Sequence, residues 1–72
     1  MNTLAVFRSR NDAISVYGYL KKRGVACAVV NTPSRLKKGC GLSFVFHESV
    51  AYAVDQAIRT VKAESFVGYF PR

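Results

Sequence analysis

The chain has 72 residues, half of them hydrophobic, with eleven basic against four acidic side chains and a net charge of +7. A chain this short buries only about 60% of its unfolded surface, so it predicts one domain, 1–72, with one core; its apolar content and a charged fraction of 21% exclude a disordered polymer. No apolar run approaches the roughly 18 residues of a membrane span. Met1-Asn2-Thr3-Leu4 shows no basic segment ahead of an apolar one, so a cytoplasmic protein without a secretory signal or a membrane partner is expected.

Thr3 to Phe7 is short, apolar and partly β-branched, and predicts a first strand. Arg8-Ser9-Arg10-Asn11-Asp12 breaks that pattern and offers three helix caps, Ser9, Asn11 or Asp12. Ala13, Val16, Tyr17 and Leu20 then recur at helical spacing, leaving Tyr19 for the surface. Lys21-Lys22-Arg23 suits the negative end of a helix dipole, and Gly24 ends the helix. Val25 to Val30 predicts a second strand. Pro, Ser and Gly signals make 31–41 a loop. Leu42 to Phe46 predicts a third strand, with Leu42, Phe44 and Phe46 facing the helices. His47-Glu48-Ser49 starts a second helix striped by Val50, Val54, Ala57, Ile58 and Val61, and His47 is a helix-start residue rather than a catalytic base. Ser65 to Phe70 predicts a fourth strand, closed by Pro71.

This order, β-α-β-β-α-β, predicts an α+β, ferredoxin-like fold: a four-stranded antiparallel sheet with two helices on one face. The other face would be open, and Val45 or Tyr69 there could pair with another copy to form a homodimer. In this topology the start of the third strand lies beside the end of the first, where the first helix begins.

That placement matters for Gly39-Cys40-Gly41. Cys40 has no side chain on either neighbour and follows a basic loop. The topology would bring it near Arg8, Ser9, Arg10 and the first N–H groups of the helix, a site that attracts anions. Arg35, Lys37 and Lys38 would add positive charge. Such surroundings lower a thiol pKa from about 8.5 into a range of about 3.5–7.5, so Cys40 is predicted to be an activated thiol. Cys27, between Ala26 and Ala28, shares a face with Val25 and Val29 and is predicted to be core. A hairpin pairing residue 30 near residue 42 would set Cys27 opposite about residue 45, several residues from Cys40, which disfavours a disulfide unless the loop folds back. Two cysteines without a CxxC and one histidine fall short of the four ligands of a structural zinc site, so neither metal nor cofactor is expected.

The chain resembles a family of small bacterial proteins described as selenium/sulfur carrier protein-like. The resemblance runs over nearly the whole length: a strand ending at Phe7, a helix closed by Gly24-Val25, then Thr32-Pro33, then Cys40-Gly41-Leu42 entering the third strand. The chain departs from the family pattern in three places, at five positions. Ser34 stands where an Arg follows the Pro, Lys37, Lys38 and Gly39 stand where small hydroxyl residues precede the cysteine, and His47 stands where the second helix has an acidic cap. The resemblance implies a carrier rather than an enzyme, with sulfur or selenium donor and acceptor proteins as partners. Cys40 would take up the element as a persulfide or selenosulfide, the cationic pocket would stabilise the terminal anion, and Gly39 and Gly41 would let a partner approach.

Two rivals stand beside it. One is an interaction or regulatory module without chemistry. The other is an RNA-binding domain, since Lys38-Gly39-Cys40-Gly41-Leu42-Ser43-Phe44-Val45 follows the opening of the RNA-binding strand pattern. Cys40, Leu42 and Val45 replace its aromatic positions, however, and each lost base stack removes about 1–3 kcal/mol, which ranks nucleic acid last among the partners.

Overall fold

A computed structural model describes residues 1–36 and 41–72. Strand β1 (Thr3–Phe7) leads into helix α1 (Arg10–Lys22), then strand β2 (Cys27–Asn31). A single 3-10 turn (Ser34–Leu36) precedes strand β3 (Leu42–Phe46). A second 3-10 turn (Glu48–Val50) opens helix α2 (Ala51–Thr60), and strand β4 (Phe66–Pro71) completes the fold. The four strands form one antiparallel sheet in the order β2-β3-β1-β4, with β1 and β3 in the middle. This is the ferredoxin-like arrangement that the element order predicts.

Alternation along β1 and β3 builds two cores. Ala5, Phe7, Leu42, Phe44 and Phe46 face the helices and meet Ala13, Val16 and Leu20 of α1 and Val54, Ala57 and Ile58 of α2. Phe7 stacks on Phe44 at 5.6 Å between ring centroids and meets Phe66 at 5.3 Å. Cys27 belongs to this core, as predicted, and Tyr17 packs against it. Tyr19 is partly buried, not a bare surface residue.

The opposite face corrects the expectation of an open sheet. Leu4, Val6 and Val45 are all buried there, and Leu36 from the first 3-10 turn packs on them, together with Val30, Val67 and Phe70. The turn Ser34–Leu36, inside the loop predicted over 31–41, therefore lies across the sheet. Val45 is only 2% exposed. Tyr69 is on the helix side, edge-on to Phe46 and Phe66 at 5.8 and 4.9 Å. Neither residue lies on an uncovered sheet face.

Two further corrections are local. β2 starts at Cys27 because Val25 is taken by the end of α1: the N–H groups of Gly24 and Val25 donate to the carbonyls of Lys21 and Leu20. The hairpin register is one residue from the expected one, with Asn31 opposite Leu42 and Cys27 opposite Phe46. Opposite residues share a face of a sheet, so Cys27 can join Phe44 and Phe46 under the helices only in this register.

Candidate functional site

Three segments meet at the carboxyl end of β1. Phe7 pairs with Leu42 on one side and Phe66 on the other, so the residues just before β3 and β4 arrive where the chain turns into α1. Gly41 is one of them. A Cβ at position 41 would overlap the Phe7 carbonyl oxygen and lie 3.2 Å from the Phe7 carbonyl carbon and 3.4 Å from the Arg8 Cα. Only glycine lets the strand start this close to a neighbouring backbone.

Ser9 caps α1 from extended backbone, its hydroxyl accepting from the Asp12 N–H at 3.4 Å. Ser65 clamps the same turn. Its Oγ accepts from the Ser9 N–H, and its own N–H donates to Asp12 Oδ2, both at 3.0 Å. Its carbonyl accepts from the Arg8 N–H, also at 3.0 Å. A helix start presents four N–H groups without helical partners. Among the described residues, the Ser9 and Asp12 donors are used internally and those of Arg10 and Asn11 have no acceptor. Asp12 places a carboxylate at the positive pole of α1, a stabilising arrangement. Exposed Arg8 and Arg10 stand on either side of the cap.

The predicted site residues thus divide. Arg8, Ser9 and Gly41 come together at one end of the sheet, with Arg10 in the first turn of α1. Arg35 points elsewhere: its Nη2 donates to the Pro71 carbonyl at 3.2 Å. Pro71 pairs with Thr3, at the other end of β1 from Phe7, about 13 Å away at the rise of a strand. Lys37, Lys38, Gly39 and Cys40 lie outside the described residues. Cys27 is buried, and burial pushes its thiol above the ordinary range against a weaker opposing pull from Lys21. It is a core side chain without ready access to a donor. His47 caps the turn before α2, its Nδ1 accepting from the Ser49 N–H at 3.1 Å.

The sequence marks Asp12 only as a candidate cap, and Ser65 only as the first residue of a strand. The clamp between them spans 53 residues, and no local pattern signals such a pairing. Among the described residues, no cluster of three or more His, Cys, Asp and Glu side chains could hold a metal ion, and no helix is long and apolar enough to cross a membrane.

No curated protein and no solved structure matches the chain. A family model does, described as "Putative Se/S carrier protein-like", over residues 2–65. That span runs from β1 through α2 and takes in Ser9, Cys40-Gly41 and Ser65, stopping short of β4. The chain belongs to this Se/S carrier protein-like family.

Proposed function

We propose that the protein carries sulfur or selenium on Cys40. The observation that carries this reading is the seat of Gly41 against Phe7 and Arg8 at the start of α1, because Cys40 is the residue bonded to it in sequence. A thiol delivered there meets the positive pole of a helix, two N–H donors and two arginines, conditions that favour thiolate over thiol. The thiolate attacks the terminal sulfur of a protein persulfide. A new S–S bond forms on Cys40, the donor's S–S bond breaks, and the donor leaves as a thiolate with the electron pair. Delivery to an acceptor thiolate is the same exchange in reverse, and a selenosulfide transfers selenium in the same way. No general base takes part, since the nucleophile is already ionised.

The RNA-binding rival would use the sheet face that Leu36 covers, where Leu4, Val6 and Val45 are buried. Binding there would first require the loop to leave.

Mass spectrometry of protein purified without reductant tests the proposal. The expected result is an adduct of about 32 Da for sulfur or about 79 Da for selenium, lost in Cys40→Ser and kept in Cys27→Ser. Alkylation of Cys40 across pH should give a pKa below the free-thiol value of about 8.5. A thiol that stays unmodified, resists a persulfide donor in vitro and titrates like a free cysteine would sink the carrier and leave the interaction module.

A further inference from the structure

A groove of about 430 Å³ runs along the outer side of α1, lined by Ile14, Gly18, Tyr19, Lys22, Arg23 and, from the end of α2, Val61. Three of its properties have no explanation within the fold. Ile14 is half exposed. Gly18 stands in the interior of a 13-residue helix, where glycine is among the poorest formers. A Cβ built at Gly18 would meet nothing within 4 Å, so internal packing does not require the glycine.

The groove has a direction. Ile14, Gly18 and Lys22 follow at i, i+4 and i+8, one line on the helix about 12 Å long. Ile14 and Val61 make one end apolar. At the other, Lys22 and Arg23 are both cationic, and the Arg23 guanidinium rests 3.7 Å from the Tyr19 ring centroid, which fixes its position. The smooth floor at Gly18 lets a second helix axis approach closely, because ridges of one helix settle where the other lacks a side chain.

We infer that this groove docks an acidic amphipathic helix of the donor or acceptor protein, its apolar side chains on Ile14 and Val61 and its carboxylates on Lys22 and Arg23. That the occupant is a donor or acceptor rests on the carrier reading; the chemistry of the groove does not. Ile14 is one helical turn from Arg10, so a helix seated here ends beside the Gly41 end of the sheet.

The test is an NMR titration of the ¹⁵N-labelled full chain with two designed helical peptides of identical leucine spacing, one with Glu at its polar positions and one with Lys. The Glu peptide should shift the amides of Ile14, Gly18, Tyr19, Lys22, Arg23 and Val61, and the Lys peptide should not. Gly18→Leu, whose new side chain enters empty space and improves helix propensity, should weaken Glu-peptide binding by about tenfold or more. The charge-reversed pair Lys22→Glu/Arg23→Glu should do the same by a different route. Both should leave persulfide uptake by Cys40 from a small-molecule donor unchanged. Equal binding of the Lys peptide, full binding by both variants, or the same shifts with a single-stranded oligonucleotide would overturn the inference. Selective Glu-peptide binding by a chain whose Cys40 takes up no persulfide would uphold the groove and remove only the carrier.

Discussion

The two faces of the sheet are made by the same strands and built from different material. Toward the helices, β1 and β3 present Phe7, Phe44 and Phe46, with Phe44 and Phe46 rings 5.9 Å apart, under two helices. Toward the loop, the same strands present Leu4, Val6, Ser43 and Val45, and a three-residue 3-10 turn supplies Leu36 as cover. Large rings interlocked with two helices fix the fold. The loop face does something else. Its hydroxyl pair, Thr32 and Ser43 at 2.7 Å, pins the chain as it leaves β2, and Leu36 seats it halfway along. One face holds the molecule together; the other seats the chain that follows β2, from Thr32 to Leu36.

If this division is right, damage to the helix face should dominate stability. Phe44→Ala removes a fully buried ring and should cost about 3–5 kcal/mol in denaturant unfolding; a loss under about 1 kcal/mol would erase the contrast between the faces. The hydroxyl pair comes next. Thr32→Val leaves a buried Ser43 hydroxyl without its partner and should cost about 1–3 kcal/mol. Ser43→Ala should act similarly, and the double variant should cost clearly less than the two singles together. Additive losses would mean that the bond does not couple the loop to the sheet. Leu36→Ala should cost only about 1 kcal/mol, below the 2–5 kcal/mol of a core leucine, while hydrogen exchange at Val6 and Val45 speeds up well beyond what that loss explains. Exchange that tracks global stability would instead make the turn part of the main core.

An effect confined to alkaline pH lies at the margin of the helix face. Burial first, then Asp55, raises the Tyr69 phenol from 10.0 to about 12, with Arg59 opposing. The neutral phenol is favoured by folding. Its contribution is therefore complete below pH 10 and is lost as pH rises from 10 to about 12. Spectrophotometric titration should find one late tyrosine, and Tyr69→Phe should flatten the alkaline loss of stability. A tyrosine titrating at its ordinary value would place Tyr69 outside the helix-face core.

Much of this was legible in the chain. β1 and β3 fall where short apolar runs predict them, because alternation and β-branching act locally. The end of α1 was legible too, since Gly24, at φ 74°, supplies its left-handed turn. The end of α2 carries the same bonding, Lys62 N–H to the Arg59 carbonyl and Ala63 N–H to the Ile58 carbonyl, but with Lys62 at φ 56° where a glycine would announce it. The cover of the second face was not legible. Leu36 is one apolar residue in a polar loop, and nothing local distinguishes a residue that folds onto a sheet from one left in solvent. Arg35 belongs by sequence to the basic loop before Cys40, yet its partner is a carbonyl 36 residues away. For the candidate site, the meeting of Gly41 with Phe7 and Arg8 follows from topology alone; the Ser65 clamp does not.

That clamp has a consequence for the order in which the molecule assembles. Ser9 and Asp12 are held by a residue 56 and 53 positions later, and β1, the first strand made, sits between β3 and β4. Long-range closures of this kind come late, since their chain entropy is lost before any contact repays it. During folding, β1, α1 and β3 can therefore meet before Ser65 closes the turn. For that interval the start of α1 lacks the Ser65 bonds to Ser9 and Asp12. The turn at the carboxyl end of β1 is finished only when the segment leading into β4 docks.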